Sequence, residues 1–169
     1  VEIVGANFTS ANFTGAQING AEAQGSSFVR ANLTRANLSG SEMHGVNFTG
    51  ATLAGTNFSN SELFGATLAN VRASGANFAS AEVTASNLSG GDFSNADFSN
   101  ASLDGARLTG GSFSRADFSN ASLRRTDIRG ADLSGARGLT QDQISEACGD
   151  GSTRLPGRLS PQACRSSSI

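Results

Sequence analysis

Apolar residues recur along this chain at every fifth position, from Ile3 through Phe8, Phe13, Ile18, Ala23 and Phe28 to Leu133, giving 27 positions in one register. Ten of the 11 Phe lie in that register. Two residues before the apolar position stands a small side chain almost every time, as at Ala6, Ala11, Ala16, Ala21, Ser26 and Ala31. Two residues after it stands a turn former, Gly at 15 and Asn at five of the 27 positions from Gly5 to Gly135. A period of five suits neither regular element. On a helix, positions five apart advance by about 140° and smear around the cylinder; on a strand, an odd period sends alternate side chains to opposite faces.

A chain that bends by about a quarter turn every five residues buries them all. Gly or Asn supplies the special backbone angles at each corner, and four pentapeptides close a square coil of 20 residues. The large residue and the small one two before it both point inward. Coils stacked at the inter-strand spacing of about 4.8 Å make nearly seven layers and a rod of about 32 Å. One coil cannot bury its apolar face, whereas a stack can.

Stacking at a spacing of 20 places Ile18, Leu38, Phe58, Phe78, Phe98 and Phe118 in one internal column, a four-Phe core ladder. Two positions depart from the pattern. Ala73 is small where a large residue belongs, but Val71 beside it exceeds the usual Ala, so volume is roughly conserved. Ala23 has no such partner and predicts a thin spot.

Composition alone points elsewhere. With 37% hydrophobic residues, 21 Gly and neither Trp nor Tyr, the bulk numbers lean toward low complexity; the strict order overrides them. Charged residues are only 15%, 12 basic against 14 acidic for a net charge of -2, and every cation is Arg. A Lys-rich nucleic-acid arm is therefore absent. No apolar run approaches the length of about 18 residues that a membrane span needs, and Val1 opens no signal-like sequence, so a soluble chain is expected.

The pentapeptides Ala6-Asn7-Phe8-Thr9-Ser10, Ala36-Asn37-Leu38-Ser39-Gly40, Ala96-Asp97-Phe98-Ser99-Asn100 and Ala131-Asp132-Leu133-Ser134-Gly135 carry a family resemblance. The chain resembles the pentapeptide repeat proteins, whose pattern is A(D/N)LXX, over about four fifths of its length. The resemblance implies an all-β fold, a right-handed quadrilateral β-helix (solenoid) of about seven coils, and supplies the handedness that spacing does not. It implies no single activity, since members include DNA-mimicking inhibitors of DNA gyrase.

The same spacing sorts the charges. Arg72 stacks with Asp92, Asp104 with Arg124, Arg107 with Asp127 and Asp117 with Arg137, which predicts cross-strand complementarity. The N-terminal half does the reverse: Glu2, Glu22, Glu42, Glu62 and Glu82 share one column, each contact costing on the order of 1 kcal/mol in water. His44 and Phe64, the one Phe outside the core register, fall on the same strip. Two readings stand for Glu22, Glu42, Glu62, Glu82, His44 and Phe64: a solvated face of splayed side chains, or a strip for a cationic partner or divalent ion. The outward columns also create nine N-x-S/T matches, a pattern the repeat itself forces.

The register stops after Gly138, dividing the chain into a β-helix over 1–137 and a cap over 138–169. Thr140-Gln141-Asp142-Gln143 reads as a capping box opening a short C-terminal capping helix that carries Ile144 and Ala147 and stops near Gly149. Laid across the end of the rod, it covers the last coil's apolar cross-section and strand edge. Cys148 and Cys164 form an even, closely spaced pair with no His or Cys neighbour to complete a metal set. A disulfide between them is expected, reduced thiols being the alternative. The disulfide points to a periplasmic, lumenal or secreted setting, and such a tied tail is similar to the ends of some bacterial and lumenal members of the family. The chain past Arg165 reads as a frayed tail. No matching cap is visible at the Val1 end, where cover by a partner or a trimmed chain is expected.

Catalytic chemistry finds little support: there is one His, no phosphate-binding Gly loop and no Cys/His set with zinc spacing. No enzyme activity, cofactor or metal is expected. The favoured function is a rigid scaffold or binding module with a protein partner, without direct nucleic-acid binding. The alternative is a DNA mimic acting on gyrase, weighed down by the small net charge. Dimeric gyrase inhibitors join through an apolar C-terminal helix. The helix here is short and carries few apolar residues, so a monomer is expected over a dimer.

Overall fold

The computed structural model describes residues 1–165; the tail beyond Arg165 lies outside the described residues. Residues 1–137 wind into a right-handed quadrilateral β-helix. Each outward residue before a core position makes a parallel bridge to its counterpart 20 residues on, from Glu2↔Glu22 through Asn57↔Asn77 to Asp117↔Arg137. We number the coils 1 to 7 from residues 1–20 to 121–140, and the sides of each coil faces 1 to 4, five residues each. Faces 1 and 3 are opposite one another.

Backbone bonding explains the period. Within a face, the core residue donates to the coil above, as in Phe58 N to Asn77 O at 2.6 Å, and the residue before it donates to the coil below, as in Asn57 N to Ala36 O at 2.9 Å. At most corners the core residue's carbonyl accepts from the next small residue, as in Leu33 O from Ala36 N at 2.9 Å, closing a β-turn. The third residue of that turn is left-handed at every corner from Gly5 to Gly130. Ser10, Arg30, Arg35, Ser80, Ala85, Arg115 and Arg125 adopt it too, at φ between 54° and 61°. The sequence has no Gly or Asn at those seven corners, and the ladder forces the conformation regardless.

The core is filled by the predicted register. Phe58, Phe78, Phe98 and Phe118 stack with centroids 5.0, 4.9 and 5.2 Å apart and planes within 8° of parallel. Further stacks join Phe8, Phe28 and Phe48 on face 2, and Phe93 with Phe113 on face 3. Ala23 is 0% exposed in its column between Ile3 and Met43, so solvent does not reach the expected thin spot. Buried hydroxyls at small-residue positions are satisfied by carbonyls, as in Thr56 Oγ1 to Leu33 O at 2.7 Å. At the Val1 end, Ile3, Phe8, Phe13 and Ile18 are only partly buried.

Helix α1 spans Gln141–Glu146 behind the expected capping box. Ile144 is fully buried on the last coil. Gln143 does more than cap the helix, because its amide also donates to Phe118 O and Ala121 O at 2.9 Å each, closing carbonyls at the rod's end. Past α1 the ladder resumes with wider spacings, Asp127↔Cys148 and Asp132↔Arg154. The segment 141–154 thus substitutes for an eighth coil, the helix standing over face 1. The Cys148–Cys164 disulfide forms, and closing its loop is worth about 3 kcal/mol in the chain-entropy picture.

Candidate functional site

Face 1 carries the candidate strip. The repeat turns the residue before each core position outward, and the bridges Glu2↔Glu22, Glu22↔Glu42, Glu42↔Glu62 and Glu62↔Glu82 stack five carboxylates without interruption. The column ends where Glu82 bridges Ser102. Beside it runs the column of residues after the core position: Val4, Gln24, His44, Phe64 and Thr84. Two of these residues reach the carboxylates of the coil above. Gln24 Nε2 donates to Glu42 at 2.9 Å, and His44 Nε2 lies 3.1 Å from Glu62. Glu42 and Glu62 therefore have lateral hydrogen-bond partners where stacking alone supplies repulsion. Gln24 Oε1 is shielded from solvent and has no partner.

Phe64 sits in the middle of this face, 53% exposed, its ring centroid 6.2 Å from that of His44. Val4, 56% exposed, belongs to the same column, and Val1, 75% exposed, to the same face. These are the large apolar side chains that the rod leaves open to solvent among the described residues. The structure therefore brings Glu22, Glu42, Glu62, Glu82, His44 and Phe64 together on one side.

The C-terminal charges behave differently from the expected pairing. Arg72, Arg107 and Asp117 bridge Asp92, Asp127 and Arg137 through the backbone, yet among the described residues none of the four stacked pairs makes a direct ion pair. Asp127 is taken by Arg129, with contacts of 2.6 and 3.0 Å, and Arg124 by Glu146 at 3.3 Å. The reason is local competition. The Asn or Asp before each core position bonds the residue two ahead, as where Asp117 Oδ1 accepts from Ser119 N at 2.9 Å and Ser119 Oγ at 2.6 Å. Such Asx turns need little chain ordering. They hold the Asp117 and Asp132 carboxyls below the ordinary range, chiefly through the Ser119 and Ser134 hydroxyls, while Arg129 does the same for Asp127.

This bond is the feature that sequence reading missed. Asn7 with Thr9, Asn32 with Thr34 and Asn47 with Thr49 make it with both backbone and hydroxyl. The N-x-S/T spacing carried the signal, since the two positions share a face and a side chain's reach.

Elsewhere the chemistry is sparse. The hollow of about 480 Å³ between Ser119, Asn120, Ala121, Gly138, Thr140 and Gln143 is lined by no titratable group. Asp127 lies beside Cys148 and Cys164, but both sulfurs are bonded to each other and offer no thiolate.

The pentapeptide repeat model matches in 8 copies between residues 3 and 137. The chain belongs to the pentapeptide repeat family. Among solved structures, this pentapeptide repeat protein is similar to one from the thylakoid lumen of Arabidopsis thaliana, with 33% identity and a TM-score of 0.60 over 63% of this chain and 73% of that one. QnrB1, a plasmid-mediated fluoroquinolone resistance protein, is 20% identical with a TM-score of 0.39 over 89% and 92% of the two chains. HetL, involved in heterocyst differentiation regulation in the cyanobacterium Nostoc, is 24% identical with a TM-score of 0.30 over 91% and 90%. At those scores neither informs function. No curated protein matches the chain.

Proposed function

We propose that this protein is a non-catalytic, rigid scaffold that binds a protein partner through face 1. The observation that carries this reading is the unbroken column of Glu22, Glu42, Glu62 and Glu82 with the half-exposed Phe64 and His44 set beside it. Aligned carboxylates raise the local negative potential and steer a basic surface. An exposed aromatic ring at the centre of the patch supplies the apolar anchor that interfaces concentrate. The stacked core makes the strip preorganised, so binding loses little side-chain freedom beyond the tips. The disulfide and the lumenal relative support an oxidising compartment, lumenal, periplasmic or secreted.

The test is photo-crosslinking with benzophenone placed at Phe64 on face 1 or at Ala69 on face 2 of the same coil, in cells expressing the protein. Adducts that form at 64 and not at 69, and that fade when Glu22, Glu42, Glu62 and Glu82 become Gln, support the reading. Equal labelling at both positions, or none at 64, overturns it.

A second reading, a DNA mimic directed at gyrase, is favoured by the regularity of the same column. Its rise of about 4.8 Å per carboxylate is larger than the roughly 3.4 Å axial rise per phosphate of one DNA strand, and the straight column does not wind as that strand does; three Arg residues occupy the opposite side of the rod. Inhibition of gyrase supercoiling that vanishes in the fourfold Gln variant supports it; the absence of inhibition at tens of micromolar removes it.

A further inference from the structure

The charges of the N-terminal half are segregated by face. Within residues 1–91 all five acidic residues, Glu2, Glu22, Glu42, Glu62 and Glu82, lie on face 1. All three Arg residues lie opposite: Arg72 at the centre of face 3, Arg30 and Arg35 at its two corners. Those corner residues are in the left-handed conformation and exposed, and their side chains run up the two edges of face 3, with Arg30 Cγ against Gly50 and Arg35 Cγ against Gly55 of the next coil.

The heights match as well. Arg30 and Arg35 start from coil 2, the coil of Glu22, and reach up toward coil 3, the coil of Glu42, on the far side. In coil 4, Glu62 has Arg72. In coil 6, Asp104 has Arg115. In coil 7 the signs reverse together, Arg124 and Arg125 on face 1 against Asp132 on face 3. Coil 5 breaks the pattern with Glu82 against Asp92, and coils 1 and 3 are uncharged on face 3. With opposite charges on the two sides in four of its seven coils and like charges in one, the rod is on balance complementary to itself under a sideways translation, with no rotation needed.

We infer that the occupant of face 1 is a second copy of this chain, packed parallel and in register with its face 3 against the Glu column. This rests on face 1 being a binding surface and names the partner. Area permits it: the cap and the two ends share the 7692 Å² of accessible surface with the four faces, so one face carries less than a quarter of it, under about 1,900 Å², and the roughly 800 Å² per partner of a standard interface takes up the greater part of one face. Phe64 then lies against Arg72 and the flat Ser and Thr rows of face 3, the cation-over-ring arrangement that favours Arg. A translation does not close on itself, so the contact is heterologous and rods add side by side in open rows. The expectation of a monomer came from the short C-terminal helix, which has no bearing on the side faces.

The experiment is sedimentation velocity of the purified full chain across concentration, at about 20 mM and 500 mM salt. Between those salts the Debye length falls from about 20 Å to about 4 Å, which screens exposed charge pairs. The expected result is a weight-average sedimentation coefficient that rises with concentration at low salt, without a plateau at the dimer, and returns to the monomer value at high salt. E22R/E62R and R35E/R72E are each expected to weaken association at least tenfold, and an equimolar mixture of the two to restore it, because each then offers the face the other needs. Matching circular dichroism and melting curves confirm that both variants fold. A chain that stays monomeric to about 100 μM at low salt, or a mixture of swapped variants that stays monomeric, overturns the proposal. An adduct at Phe64 to a different protein also overturns it while leaving the face 1 reading intact, whereas no adduct at Phe64 removes that reading itself.

Discussion

Phe78 and Phe98 lie one coil apart with ring centroids 4.9 Å apart and planes 2° from parallel. Both are fully buried. The coil returns each side chain to the same lateral position every 20 residues, so the rings stack on one another, and the ladder extends to Phe58 below and Phe118 above.

Phe98→Ala removes a ring packed between two others and leaves a cavity that a stacked core cannot collapse. A loss of about 3–5 kcal/mol is expected. Phe98→Leu keeps part of the volume and costs less. Urea unfolding followed by circular dichroism measures both, and a loss below 1 kcal/mol for the Ala variant would contradict the ladder's structural role.

Gly91 and Gly111 stand where the repeat calls for a small side chain, two residues before Phe93 and Phe113. A methyl group built at either position would overlap the neighbouring ring. Gly and Phe thus share one space in those two pentapeptides. Gly91→Ala is expected to cost about 1–3 kcal/mol through overpacking, although Ala is the usual residue at this place in the repeat. Thermal unfolding is the check, and an unchanged melting temperature would sink the idea.

Ala85 holds φ at 57° because the corner demands it. The left-handed region costs an L-residue about 1–2 kcal/mol, while Gly there restores about 0.4–1 kcal/mol of unfolded-chain entropy. Ala85→Gly is therefore expected to stabilise by up to about 1 kcal/mol, visible as a rise in Tm. A fall in Tm would show that the methyl group makes a contact worth more than the strain.

The carboxyls of Asp117 and Asp132, held by the Ser119 and Ser134 hydroxyls, and of Asp127, held by Arg129, titrate below their unfolded values. The folded state therefore binds fewer protons than the unfolded chain in this range. Their contribution is fully present above the unfolded carboxylate pKa of about 3.9 and is lost as pH falls through the lower folded values. Stability is expected to be flat with respect to these groups from pH 7 to about 5 and to decline below about 4. Asp117→Asn keeps the Asx turn and should flatten the acid limb; an identical acid limb would show that this carboxyl contributes nothing.

The local period determined most of the architecture. Each pentapeptide specifies its own bend, an inward large residue and an inward small one, so coil length, core register, the Phe ladder and the Glu column at positions 2, 22, 42, 62 and 82 were all legible before any coordinates. The capping box at Thr140 and Gln143 was legible for the same reason, since its residues are three apart in sequence. What only the tertiary structure decided are the matters in which several neighbours compete for one group. Asp127 chose Arg129 over Arg107, and Gln143 reached Phe118 and Ala121, where coil 6 passes into coil 7. Arg30 and Arg35 took left-handed corners that their own preferences disfavour, because the hydrogen-bond ladders above and below outweigh one residue's backbone cost. Repetition makes the fold additive and readable along the chain; charge and hydrogen-bond partners are settled between coils, where spatial reach outranks sequence distance.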